Sequence, residues 1–142
     1  MAISFVDLFN DIRDAGKPNF ETQRKRKELL IQHRTEHLEK FLRYAFHPDV
    51  KFLLPKGSPP YNKGPDGVNS KLIYSQIRMI NYLTNEYQGN LTPLKREQMY
   101  IQLLESVSAE EAELIEQMKE KKLKITGLSY NLVKETFPHL LP

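Results

Sequence analysis

The chain has 142 residues, 39% of them hydrophobic, with no cysteine and a formal net charge of +3. That length suits about one domain around one core, and the lack of cysteine excludes a disulfide framework and thiolate zinc ligands and fits a reducing compartment. No apolar run approaches the ~18 residues of a membrane span. Met1-Ala2-Ile3-Ser4-Phe5 lacks the basic region and apolar core of a signal peptide, so a cytoplasmic protein with no membrane partner is expected.

Ser4 to Ala15 is predicted helical, because Phe5, Leu8, Phe9 and Ile12 fall at i, i+3, i+4 and i+7. Gly16-Lys17-Pro18 ends it. Asn19 is a cap for a second helix over about Phe20 to His33. Its run Arg24-Lys25-Arg26-Lys27 reads as a solvated face or, more sharply, as a phosphate-contacting one. Leu38, Phe41, Leu42 and Ala45 place a third helix on Glu36 to Phe46. His33 and His37 would share a helix face, and His47 follows, but no third ligand or zinc-protease motif accompanies them. They read as structural or surface histidines, and no metal or cofactor is expected.

Pro48 to Val68 is a long irregular segment with four prolines after Pro48 and three glycines. A loop of that length in a compact domain is often functional. Its glycines do not follow a phosphate-binding pattern, neither GxxxxGK[ST] nor GxGxxG after a strand. Ser70 to Tyr87 is predicted as one helix with a wide stripe of Leu72, Ile73, Ile77, Ile80, Leu83 and Tyr87. Thr92-Pro93 opens the next, to about Glu105. Ser108-Ala109-Glu110-Glu111 reads as a capping box. The helix it starts carries Leu114, Ile115 and Met118 and ends in a basic turn of Lys119, Lys121, Lys122 and Lys124. Thr126-Gly127-Leu128-Ser129 turns the chain. Ser129 caps a last helix with Leu132, Val133 and Phe137, stopped by Pro138. The expected fold is all-α: a compact single-domain bundle of about six to seven helices over residues 1–142, with a long Pro/Gly-rich loop.

No serine–histidine–acid set or cysteine nucleophile is present, and pairs such as Glu110 and Glu111 read as a solvated polar face. An enzyme is therefore not expected, and no residue is assigned as catalytic. Charge is segregated: residues 105–116 hold five glutamates and no cation, while residues 119–134 hold Lys119, Lys121, Lys122, Lys124 and Lys134 against Glu120. Residues 51–78 form a second basic region, Lys51, Lys56, Lys63, Lys71 and Arg78 against Asp66. At the Gly127 turn, a helix N-terminus presents unpaired amides, glycine admits close approach, Ser129 adds a hydroxyl, and Lys122 and Lys124 lie just upstream. Such a turn suits an anion, and a phosphodiester fits it.

Residues 110–138, from Glu110-Glu111-Ala112 through Leu123-Lys124-Ile125-Thr126-Gly127-Leu128-Ser129 to Phe137-Pro138, resemble the end of the N-terminal DNA-binding domain of ATP-dependent DNA ligases, those of large tailed phages above all. One residue, Thr126, is inserted between the isoleucine and glycine of that pattern. The resemblance implies an all-helical domain that grips duplex DNA through its backbone. It also implies phosphate contacts from Lys122, Lys124, Gly127, Ser129 and Lys134, in a lysine-rich, helix-turn-helix-like C-terminal segment. Lys56 and Lys63 are secondary candidates from charge alone. The ligase's adenylate-accepting lysine–any–Asp–Gly is absent: Lys63-Gly64-Pro65-Asp66-Gly67 has one residue too many. The resemblance thus points to a free-standing, non-catalytic binding domain of a small phage protein, acting in the host cytoplasm on double-stranded DNA with weak sequence specificity. The alternative is a module that binds a host or phage protein through the acidic face Glu110, Glu113, Glu116 and Glu120, or through the loop Leu53 to Tyr61.

Overall fold

The computed structural model describes residues 3–63 and 72–142. Gly64, Gly67 and Lys71, read above as part of the loop and of the second basic region, lie outside them, as do Asp66 and the start of the helix predicted from Ser70.

The described residues are all-α. They form helices α1 (Phe5–Arg13), α2 (Phe20–Gln32), α3 (Glu36–Phe46), α4 (Leu72–Gln76), α5 (Pro93–Glu105), α6 (Ala109–Lys119) and α7 (Tyr130–Thr136), with a 3₁₀ segment at Ile77–Leu83. Each long helix starts at a residue whose side chain can accept from an orphan amide. Ser4, Asn19, Thr35, Thr92 and Ser108 take the amides of Asp7, Thr22, Leu38, Lys95 and Glu111. Pro93 occupies the first turn of α5. The capping box at Ser108 is complete, with Glu111 reaching back to the Ser108 amide at 3.1 Å.

α1 and α3 bring apolar stripes together. Phe5, Phe9 and Phe41 are fully buried and pack with Tyr74 in one aromatic cluster of mostly tilted rings, with Phe5 and Phe41 ring centres 5.2 Å apart. Burying each such ring contributes about 1.5–3 kcal/mol. α3 and α1 pack on α6, α2 packs on α1 and α7, and the 3₁₀ segment packs on α5 and α3. One core runs through all of them.

The single helix expected from Ser70 to Tyr87 is broken. Its buried residues explain why. Ile73 and Ile77 are four apart, but Ile77, Ile80 and Leu83 follow at intervals of three. Three residues per turn is the 3₁₀ period, which keeps residues at that spacing on one line. The tightened turn ends where Thr84 meets Phe52 in an isolated antiparallel bridge, with Leu53 donating to Leu83 O at 2.9 Å and Asn85 to Lys51 O at 2.9 Å. The bridge ties the start of the proline loop to the core.

α6 also ends earlier than its lysines suggest. The amide of Lys122 donates to Gln117 O at 2.9 Å and that of Lys121 to Met118 O at 3.0 Å, the two bonds of a Schellman motif. Lys121 takes the left-handed position, φ 59°, where glycine is usual. Its ammonium compensates by donating to Tyr44 O at 2.7 Å and His47 O at 2.8 Å, closing the C-terminal end of α3. Residues 120–129 therefore separate α6 from α7 with two turns, at Lys121 and at Gly127, rather than the single turn of a helix-turn-helix.

Candidate nucleic-acid interface

The proline loop lies along α6, and three glutamates hold it. Gly57 N donates to Glu120 Oε1 at 2.9 Å, Tyr61 Oη to Glu116 Oε2 at 3.2 Å, and Asn62 N to Glu105 Oε2 at 2.8 Å. Lys119 completes the fastening. It is buried, and its ammonium donates to Pro55 O and Gly57 O, both at 2.9 Å, and to Glu120 at 3.0 Å. The Gly57 amide, then the Lys119 ammonium, hold the Glu120 carboxyl below the usual glutamate range. Burial, then the Glu116 charge, pushes the Tyr61 phenol up to about 12.

Lys119 sits in the last turn of α6, as expected, and there it is an internal fastener. Two expectations are corrected here. Glu116 and Glu120 are not a free acidic face for a partner, because the chain's own loop takes them. Glu111 is likewise fully buried, its second oxygen accepting from Ile73 N at 3.0 Å, and does not belong to a solvated pair.

The fastening sets one lysine of the second basic region, Lys56, at the same loop crest as Lys122 and Lys124 of the first. Gly57 and Ser58, at the loop crest, share a cleft of about 340 Å³ with Lys122 and Lys124. Lys56 borders the groove on the other side of the same crest. Lys56, Lys122 and Lys124 are exposed, and none has an ion-pair partner among the described residues. The carboxylates of the cleft, Glu116 and Glu120, are turned to the loop. Lys63, just past the Asn62 hook, borders neither recess.

Gly127 and Ser129 belong to a different recess, of about 430 Å³, shared with Pro18, Asn19, Gln23, Arg26 and Leu132. Ser129 Oγ accepts from Leu132 N at 3.2 Å and so serves as the cap of α7. The close approach that glycine permits at Gly127 is made by Arg26. A Cβ on Gly127 (φ +83°) would stand 2.2 Å from Arg26 Cζ. Arg26, read within a solvated or phosphate-contacting run, is buried, with Nε donating to Ile12 O at 2.8 Å and Nη2 directed at Arg13 O and Gly16 O. Lys134 is exposed on α7, beside Glu135, which pairs with Lys27 at 2.7 Å. The seven predicted contacts thus divide: Lys56, Lys122 and Lys124 gather at the loop crest, Gly127 and Ser129 face α2, and Lys63 and Lys134 stand apart.

Sequence reasoning missed Arg26 and Lys119, and their positions carried the signal. Thr22, Arg26 and Leu30 are four apart and form the buried face of α2. Lys119 follows Ala112 and Ile115 at i+7 and i+4 on the buried face of α6.

No group of three or more histidine, aspartate or glutamate side chains fit to hold a metal occurs among the described residues. No described helix is long and apolar enough to cross a membrane. No curated protein and no solved structure matches the chain. Residues 17–125, from the start of α2 to the basic segment after α6, match the model of a family of unknown function, DUF6433. The chain belongs to the DUF6433 family.

Proposed function

We propose that the protein is a non-catalytic nucleic-acid-binding module that contacts the phosphate backbone of duplex DNA through Lys56, Lys122 and Lys124. The observation that carries this reading is that Lys56 on one side of the Gly57-Ser58 crest, and Lys122 and Lys124 on the other, come from segments far apart in sequence and have no ion-pair partner among the described residues. Cations without internal partners release bound counterions when they meet phosphates, the main source of sequence-independent affinity. Phosphate contacts of this kind position a duplex rather than read its sequence. The likeness of the C-terminal segment to the DNA ligase domain supports the same reading, as a stand-alone relative.

A mobility-shift titration with blunt duplex at low salt tests it. Affinity is expected to fall with salt by a log–log slope of about 0.9 per phosphate neutralised. Lys122→Glu with Lys124→Glu weakens binding about tenfold or more for all sequences alike and lowers that slope by about two. Unchanged binding in the double variant removes the site.

A second reading has its own observation. An apolar groove of about 350 Å³ between the loop and α5, walled by Leu54, Pro59, Pro60, Leu94 and Ile101, suits docking of a host or phage protein. Leu94→Asp abolishes such docking and leaves duplex binding intact.

A further inference from the structure

We infer that the α2–α7 side of the molecule holds an unpaired nucleic-acid strand, with one base stacked on the ring of Phe20. This deepens the proposed nucleic-acid binding and rests on it. Phe20 is the first residue of α2 and is 80% exposed, more than Leu94 at 64%. Nothing in the packing of α2 calls for a ring there, since its buried face is Thr22, Arg26 and Leu30.

The ring stands in a prepared setting. It borders a groove of about 290 Å³ with Gln23, Arg24, Lys27 and Glu135. Gln23 also walls the recess that holds Asn19, Gly127 and Ser129. Gln23 thus lines both hollows, the one beside the ring and the one at the turn before α7. The carboxylates near the ring are already matched, Glu21 to Arg24 at 2.7 Å and Glu135 to Lys27 at 2.7 Å. Lys17 and Lys134, exposed and without an ion-pair partner among the described residues, leave this side net positive.

A flat apolar face among cations fits a polyanion that carries flat apolar faces. An unpaired strand supplies both. A double helix keeps its bases stacked on one another and offers the ring nothing but an end, and an acidic peptide offers charge without a planar face. Stacking uses the π-face that every base has, so the site tolerates any sequence. Gln23 adds an amide for whichever edge lies near.

The chain has no tryptophan, so Phe20→Trp creates a single indole reporter at the site. Its emission is expected to be quenched by oligothymidylate and by a duplex with a single-stranded tail, and to stay unchanged with blunt duplex. Phe20→Ala weakens binding of the tailed duplex about tenfold, within the range for stacking one base on an aromatic ring, and leaves blunt-duplex binding as it was. Circular dichroism checks that both variants fold. Unchanged emission on a tailed duplex that a mobility shift shows to be bound overturns the stacking site and leaves the duplex reading standing. Emission that changes with protein concentration alone shows that a second copy covers the ring, and also overturns it. If no nucleic acid of either kind binds, both proposals fall.

Discussion

Gly127→Ala is expected to destabilise the fold by roughly 2.5–5 kcal/mol, through two separable effects. A left-handed conformation costs an L-residue about 1–2 kcal/mol, and Gly127 has φ +83°. The new methyl would also lie 2.2 Å from Arg26 Cζ and 2.3 Å from Nε. A guanidinium on a flexible stem often yields cheaply. This one is buried, and its Nε bond to Ile12 O is 2.8 Å long. Displacing it loses a charged hydrogen bond of about 1.5–3 kcal/mol and weakens the cation at the C-terminal end of α1. Urea unfolding followed at 222 nm measures the total, and a melting temperature lower by roughly 10 °C is expected. Arg26→Ala separates the parts. In that background Gly127→Ala costs only the backbone share, about 1–2 kcal/mol, so the double-mutant cycle shows a coupling of about 1.5–3 kcal/mol. Equal costs in the two backgrounds, or a cost below about 1 kcal/mol in the wild type, refute the argument.

Glu111→Ala is expected to cost about 2–4 kcal/mol, since it orphans the buried amides of Ser108 and Ile73 together, read as a drop in urea midpoint at constant slope. Burial, then the Arg43 charge, lowers the Lys121 ammonium to about 8, below its usual 10.5. Between those values the unfolded chain binds more protons than the native one, so stability rises with pH from about 8. Above about 10 the sign reverses. Burial raises the phenols of Tyr44, Tyr61, Tyr74 and Tyr100, so the native state then keeps protons the unfolded chain has released. Urea midpoints from pH 7 to 11 should pass through a maximum, and Lys121→Met should flatten its rising limb.

Much of the fold was legible because local chemistry and tertiary packing agree. Asn19, Thr92, Ser108 and Ser129 were readable as caps, and each accepts the amide three residues on. The stripes of α1 and α3 were readable because every apolar residue in them is buried. Reading failed where residue type and position disagree. Arg26 and Lys119 look like surface residues by type, yet lie on buried faces by spacing, and each is satisfied by backbone carbonyls that no side-chain pattern announces. The break after Gln76 needed the shift from four-residue to three-residue spacing to be weighed above helix propensity. Of the candidate site, the lysines were found, but their gathering was not legible. It depends on a hydrogen bond between Gly57 and Glu120, 63 residues apart.

The way the proline loop is hooked has an evolutionary consequence. Apart from the Tyr61 hydroxyl on Glu116, what Glu105, Lys119 and Glu120 grasp is main chain: the amides of Gly57 and Asn62 and the carbonyls of Pro55 and Gly57. Every amino acid but proline offers those same groups, so Lys56, Ser58 and Lys63 are free to vary while the contour they sit on stays put. Relatives are then expected to diversify this crest faster than the glutamates and the lysine beneath it, in the manner of a handle whose grip changes while its bolts do not.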